Sequence, residues 1–467
     1  MSFLHPGDAI RLTIDDLDSD GSGVGTISSD IVSSRASTES TQPGLQLHVA
    51  GALPGEDVTA RVDALSQQRP TAWGALLSLH KPSASRVAPV CRAHGRCGGC
   101  VLQHLDYPAQ LAWKDGDFRR QVATAPSLAS TLVHPPVPSP KPFGYRNKSK
   151  LVAGTDEDGA LILGAFSPRT HDVVDLSGCA IAQAPLDAVA QSAIDVLRRH
   201  AVTPYDERLL VGTLRYVILR ANVFGHVQMT FVTSSSSFPE AGAVIADLRE
   251  RHPEIVGVIQ DVNETRGNVI HGDADRLLWG AMTLDDEVGG VKLRLSPRAF
   301  FQANRDVAAL AYAAIKAAIA PRPSDVVVDA YAGVGGIALT LAPHVGRVLG
   351  IEEHASAVED ATANAQLNGC ANVAFVAGDV ADHVRDIGSA DIVVLNPPRR
   401  GCAGAVLEQA AALAPRTMAY LSCAPATLLR DLERLHTLGY ETTSLTPFDM
   451  LPHTPHLEAL AILSRRD

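Results

Sequence analysis

The stretch DVVVDAYAGVGG, Asp325 to Gly336, decides how the second half of this chain is read. A run of β-branched residues closes on an acid, Asp329, and then gives way to a glycine-rich loop. That is the pattern of a buried strand opening into a turn. Gly333 and Gly335 let the backbone approach a ligand that a Cβ would hold off. An acidic residue, Glu352, closes the next apolar run roughly 20 residues on, the position that grips ribose hydroxyls in nucleotide-binding sheets. Working outward, DVVVDA, RVLGIE, VAFVAGD, ADIVVLNPP and TMAYLSC read as strands. Helical segments separate them, such as HASAVEDATANAQLNG, which ends on Gly369 in a C-cap position. The alternation predicts an α/β fold over residues 294–467, with a parallel sheet covered on both faces. Gly333, Gly335 and Ala338 also satisfy G-x-G-x-x-A, so a nicotinamide dinucleotide is one candidate ligand.

The chain has 467 residues, enough for two or three domains, and is 46% hydrophobic, as a globular protein is. A formal net charge of −11 argues against a generic basic nucleic-acid coat and leaves room for a local basic groove. The opening MSFLHPGDAI lacks a basic segment followed by an apolar run, and no stretch has the length of a membrane span. The expectation is a cytoplasmic, monomeric protein with no membrane partner. In that compartment seven cysteines stay reduced, so a cluster of them points to metal or catalysis.

Residues 1–82 read as all-β. AIRLTIDDLD and QLHVAGALPGEDVTARVDAL alternate apolar and polar residues between Gly-rich turns, which suggests a small barrel, with SSDIVSSRASTESTQPG as a mobile hairpin insert. Residues 83–293 are mixed α+β. They open on CRAHGRCGGC, which spaces Cys91, Cys97 and Cys100 as C-x5-C-x2-C. Cys179 in DLSGCAIAQ is the fourth candidate thiol, and His94 and His104 are softer donors nearby. Four thiolates suit zinc or a [4Fe–4S] cluster, and spacing alone slightly favours zinc. Cys370 and Cys402 read as packing residues. KPFGYRNKSK gathers Lys141, Arg146, Lys148 and Lys150 around two aromatics without an acid. It reads either as a phosphate-and-stacking surface or as a solvated charged hairpin.

Four features of the C-terminal third belong together: Asp329 with Gly333 after the first strand, Glu352 after the second, Asp379 after the third, and Asn396-Pro397-Pro398 after the fourth. Together they resemble S-adenosylmethionine-dependent methyltransferases, and the Asn-Pro-Pro form resembles those acting on a planar nitrogen-containing base. With NPPRRG (396–401), YLSCAPATLLRD (420–431) and FDMLPHTPHLEAL (448–460) in this order, the whole chain resembles the RNA uracil-5-methyltransferases. Within them it is most similar to the bacterial 23S rRNA branch that carries an iron–sulfur cluster. FFQANRD (300–306) is similar to that family's Phe-x-Gln-x-Asn signature.

The resemblance implies a C-terminal Rossmann-like class I methyltransferase domain (294–467), an N-terminal OB-like TRAM barrel (1–82) and a central α+β domain (83–293). It implies Cys423 as nucleophile and Glu458 as general base. Gln302, Tyr331, Glu352 and Asn396 become cofactor contacts, with Asp379 on the adenine side. Cys91, Cys97, Cys100 and Cys179 become ligands of a structural [4Fe–4S] cluster, zinc remaining the alternative. Two positions depart from the family pattern: Ala332 stands where a Cys is common, and Asn396 where most members have Asp. The implied product is 5-methyluridine in 23S rRNA; the alternatives are a tRNA enzyme or a catalytically silent RNA-binding factor.

The chemistry explains the residue types. Uracil C5 is too weak a nucleophile to attack a sulfonium methyl, and a thiolate adding to C6 makes C5 enolate-like. A base must then remove the C5 proton so that the cysteine can leave. A thiol and a carboxylate must therefore face one base, which also has to leave any stack.

Overall fold

A computed structural model describes residues 4–27, 44–168, 170–267, 269–385 and 387–466. The Ser/Thr-rich insert predicted after Ile27 lies, apart from Gly44, outside the described residues. The chain packs as two compact units, one comprising residues up to Trp113 with Pro452–Pro455, the other Lys114–Leu451 with His456–Asp467.

In the first unit, strands Ala9–Thr13, Asp57–Leu65, Thr71–Lys81, Leu45–Ala50, Gly23–Ile27 and Asp16–Leu17 pair in that order. Ile10, Leu12, Leu47, Val49, Val58 and Val62 point to one core while their neighbours face out, as period-2 alternation dictates. The buried carboxylate of Glu56 accepts from Leu53 N, Ser83 N and the Arg86 guanidinium, tying this sheet to the start of the cysteine-bearing loop.

The second unit contains two large sheets. The first pairs Val173–Asp175, Leu161–Phe166, Lys148–Thr155, Leu214–Ala221, Val227–Thr233, Ile255–Val262 and Ala274–Gly280. Helices Ala184–Arg199 and Ala241–Arg251 cover one of its faces. KPFGYRNKSK is not a hairpin: Tyr145 and Asn147 are buried, and Lys148 opens a strand.

The second sheet carries the glycine-rich loop. Its strands are β1 (Val326–Ala330), β2 (Arg347–Glu352), β3 (Val373–Ala377), β4 (Ile392–Leu395), β5 (Thr417–Ser422), β6 (Tyr440–Phe448) and β7 (Glu458–Arg465). Its helices are α1 (Arg305–Ile319), α2 (Gly336–Leu341), α3 (Ala355–Leu367), α4 (Val380–Arg385), α5 (Gly404–Ala412) and α6 (Pro425–Thr437). The strand order is β3-β2-β1-β4-β5-β7-β6. Val327, Ile392 and Val394 enter the core under α1 and α2, whereas Val328, Val393 and Leu395 enter the one under α4, α5 and α6. This explains the near-continuous apolar runs: strands buried on both faces have no polar side to show.

Two features depart from a plain parallel sheet. Strand β7 runs antiparallel between β5 and β6, and Leu132–Val133 adds a short strand parallel to β6. Phe118, Val122, Ala125 and Leu128, from the middle of the sequence, pack in the core with Val328 and Tyr420. The docking of Leu132–Val133 and of Phe118 to Leu128 has no local signal, because their partners lie hundreds of residues away. No helix among the described residues is long and apolar enough to cross a membrane.

Candidate active site

Strand order reverses between β1 and β4, and a ligand crevice opens at the carboxyl ends on either side of such a point. The residues singled out by sequence converge on that edge. Tyr331 follows β1, Glu352 ends β2, Asp379 follows β3, Asn396 follows β4 and Cys423 follows β5. Because β7 is antiparallel, its first residue, Glu458, also starts there: Ser422 pairs with Ala459, so Cys423 and Glu458 extend the same register. Gln302 sits half-buried just before α1, a helix that packs on β5 and β7.

The loop after β1 is shaped for close approach. Gly333 and Gly335 have φ of +54° and +88°, Gly333 N–H donates to a Glu352 carboxylate oxygen at 3.0 Å, and a Cβ on Gly333 would meet open space. Glu352 also accepts from His354 N–H, so its carboxylate is fixed by backbone. Asp329 is buried; one oxygen accepts from Ala338 N–H at 2.9 Å and the other has no partner. Burial pushes its carboxyl up to about 7, against the Ala338 hydrogen bond, and Glu352 adds to the rise. An unsatisfied buried acceptor beside a glycine turn suits a ligand with cationic and hydroxyl donors. Tyr331 adopts a left-handed φ of +67°, uncommon for a non-glycine residue, and burial raises its phenol, with Cys402 adding to the rise.

The Cys423 thiol is half-buried. Its titration is shifted upward: burial is the largest cause, Glu458 adds to the rise, and Arg399 opposes it. Burial pushes Glu458, 4% exposed, up to about 7. A carboxyl poised near neutrality beside a thiol can act as a base only where it does not have to share the space with a second negative charge.

Residues 287–466 match the family profile described as tRNA (Uracil-5-)-methyltransferase. The chain is 37% identical to an uncharacterized RNA methyltransferase of Geobacter sulfurreducens, over 98% of this chain and 90% of that one. It is 34% identical to another of Listeria innocua, over 99% of each chain. The chain belongs to the RNA uracil-5-methyltransferase family. The crystal structure of Pyrococcus abyssi tRNA (uracil-54, C5)-methyltransferase with S-adenosyl-L-homocysteine shares its fold. The two align with a TM-score of 0.76 and 24% identity, over 97% of this chain and all of that one. The methyltransferase is thus a SAM-dependent, RNA-modifying enzyme, and its fold class is the one the glycine loop predicted.

The cysteines are placed less simply. Cys91, Cys97 and Cys100 ride one tightly turned loop of the first unit, held by bonds from His94 N–H to Cys91 O and from Cys97 N–H to Ala93 O. Gly99 N–H approaches the Cys97 sulfur at 3.4 Å. Cys179 lies in the second unit, its N–H bonded to Asp187. Burial holds the His104 imidazole down to about 4, so the ring is neutral. Among the described residues no group of three or more His, Cys, Asp or Glu is arranged to hold a metal ion.

Several residues around the candidate site carry no signal in the sequence. Arg399 was hidden in NPPRRG, where nothing marks which arginine's carbonyl accepts from Thr427 on α6. Cys402, read as packing, is indeed buried, and its thiol is pushed up to about 11 by burial while the Tyr420 and Tyr331 hydroxyls lower it. Lys114 is buried, and its ammonium donates to Asp449 at 2.6 Å and to the carbonyls of Leu451 and His456. It brackets the segment leading to Glu458. A single lysine in an otherwise amphipathic helix carries no sign of that role.

Proposed function

We propose that this enzyme methylates C5 of a uridine in 23S rRNA through a covalent adduct between Cys423 and C6. The observation that carries the reading is the register of β5 and β7, which puts a thiol and a buried carboxyl side by side on the ligand edge of the sheet. In the proposed sequence the Cys423 thiolate adds to C6 and C5 gains electron density. S-adenosylmethionine, when bound, supplies the electrophilic methyl group. Glu458 then takes the C5 proton, and the C6–S bond breaks to return the thiolate. Glu352 would grip the ribose hydroxyls, Asp379 the adenine side, and Tyr331, Asn396 and Gln302 the remaining contacts. The assignment of 1–82 as an RNA-binding TRAM barrel, 83–293 as the central domain and 294–467 as the catalytic domain belongs to the same proposal.

Arg146, Lys148 and Lys150 support an RNA path to this site. The side chain of Asn147, among them, donates to Gln302 O at 2.9 Å and its backbone N–H donates to Ala303 O, so the basic stretch is fastened to the FFQANRD loop. For the cysteines we keep Cys91, Cys97, Cys100 and Cys179 as a structural [4Fe–4S] set. The chemistry is redox-neutral and no step depends on it. Brown protein with stoichiometric iron and sulfide supports the set; colourless protein with one zinc removes it.

A tRNA substrate is the second reading, favoured by the description of the family profile that residues 287–466 match. Mapping 5-methyluridine in a deletion strain decides between them. Loss from 23S rRNA alone is expected; loss from tRNA alone would reassign the substrate, and loss from neither would refute the activity.

A further inference from the structure

We propose that a cavity at one end of the strand Leu214–Ala221 is a further RNA-contact site, which holds a backbone phosphate of the substrate strand among three arginines. The inference needs the substrate to be RNA and does not depend on which RNA it is. The cavity, about 250 Å³, is lined by Tyr205, Arg208, Leu210, Arg215, Arg266 and Gly267, with Glu207 as its one carboxylate. It lies away from the candidate active site. At the opposite end of the strand, Ala221 N–H donates to Asn147 O at 2.9 Å, and Asn147 is bonded in turn to the loop that carries Gln302. Eight residues of extended chain span roughly 25 Å between the two ends.

Arg215 is the fixed part of the cavity. It is 3% exposed, and its guanidinium carbon lies 4.9 Å from the centre of the Tyr205 ring. Nη1 donates to Asn263 O at 3.0 Å and to Thr265 O at 2.6 Å, and Nη2 donates to Gly267 O at 3.4 Å. Its Nε, also buried, has no acceptor among the described residues. A buried donor left unmade is costly, and a ligand oxygen in the cavity would satisfy it. Glu207 lies 3.7 Å from Arg215 and 3.8 Å from His171, so it offsets one of the three arginines. Arg208 and Arg266 are exposed, and neither forms an ion pair among the described residues. The cavity is therefore cationic in a chain of net charge −11, and guanidinium groups match phosphate oxygens in geometry as well as charge.

The rim of the cavity points to a nucleotide rather than a bare anion. The Asp206 carboxylate accepts from Arg208 N–H at 2.7 Å and from Leu209 N–H at 3.0 Å, while Asp206 N–H donates to Val211 O at 2.8 Å. Leu210 takes a left-handed φ of +59°, uncommon for a leucine. Gly212 has φ +108°, and a Cβ there would fall 2.1 Å from Pro204 O, so the turn needs glycine. This tightly bonded turn leaves Leu209 70% and Val211 58% exposed beside the arginines. Packing does not account for such a tip; it offers apolar surface to the sugar and base next to the held phosphate. The basic stretch Arg146 to Lys150 sits at the other end, where Lys148 pairs with Arg220. Cations thus stand at both ends of one strand, two anchor points for a single RNA.

The test reads contact and charge separately. Full-length protein is cross-linked by ultraviolet light to total RNA from a deletion strain, and peptides that carry a nucleotide are mapped by mass spectrometry. A cross-link is expected within residues 203–215, and it should be lost in the double variant Arg208→Gln with Arg266→Gln. Both positions are exposed, so that variant should melt as wild type does. It should bind the same RNA about tenfold more weakly, with the salt dependence flattened by about one unit of slope for the phosphate lost. Leu209→Ser should weaken the cross-link and leave the slope unchanged. Cys423→Ala should cross-link here as wild type does, so failure of the proposed nucleophile would leave this result standing. An unchanged salt dependence in the double variant overturns the proposal and leaves Arg215 as a staple for residues 263–267 alone. Inorganic phosphate that binds wild type but not the double variant in calorimetry, with RNA affinity equal in both, would make the cavity a free-anion site and also overturn it.

Discussion

The buried carboxyl of Glu458 makes stability depend on pH. Its folded carboxyl titrates at about 7, above the unfolded value near 4.3, so between those limits the native state binds more protons than the unfolded one. Its contribution to stability is therefore fully favourable below about pH 4 and is lost as pH rises through 7. Glu458→Gln should match wild type near pH 4 and exceed it at pH 8 by on the order of 3 kcal/mol, measured by urea unfolding. The same variant should accumulate the methylated adduct, since methyl transfer does not need the base but release does. Equal stability at both pH values would mean that the carboxyl is hydrated rather than buried. The family resemblance singled out Cys423 and Glu458, and the register of β5 and β7 sets them next to each other on one edge of the sheet. Arg399 and Thr427 were not singled out, since their meaning is a contact across a loop and a helix, and an arginine or threonine is ordinary at either position alone.

At the scale of elements, the antiparallel β7 is what makes the site. The α/β alternation made β1 to β5 legible: β4 and β5 are buried along their whole length and apolar almost throughout, and β3, at the sheet edge, is apolar as well. The direction of β7 was not legible, because it is set by the segment between Phe448 and Glu458 rather than by the strand's own residues. Lys114 governs that segment through Asp449, Leu451 and His456. Removing one partner of a buried pair leaves the other charge stranded, so Lys114→Met should lower stability by about 3–5 kcal/mol. Replacing both, Lys114→Met with Asp449→Leu, should recover much of it. Where Lys114→Met remains folded, adduct release should slow more than adduct formation, because the base is displaced and the thiol is not. Equal slowing of both steps would place Lys114 in the general scaffold.

For the whole molecule, the question is how a chain with net charge −11 holds RNA. The answer offered by Arg146, Lys148 and Lys150 is local charge fastened to the 300–306 loop. Burial pulls the Lys148 ammonium down to about 7, with Arg220, Lys150 and Arg146 adding to the fall. A phosphate would favour the charged form, so RNA affinity should weaken as pH rises through the neutral range. Arg146→Ala with Lys148→Ala should abolish that pH dependence and flatten the salt dependence by about one unit of slope for each phosphate that is no longer neutralised. Unchanged affinity at every salt concentration would leave these cations without a role in binding. The alternating strands of the first unit were legible in sequence, whereas nothing in the sequence names the RNA that is bound. The proposed mechanism turns on one event, the bond between Cys423 and the pyrimidine ring. The direct measurement is to incubate the enzyme and S-adenosylmethionine with RNA carrying 5-fluorouridine, which has no C5 proton to lose, and to map the cross-linked peptide by mass spectrometry. The prediction is a methylated fluorouridine attached at Cys423, absent in Cys423→Ala; an adduct at another residue, or one that persists in that variant, would contradict the mechanism.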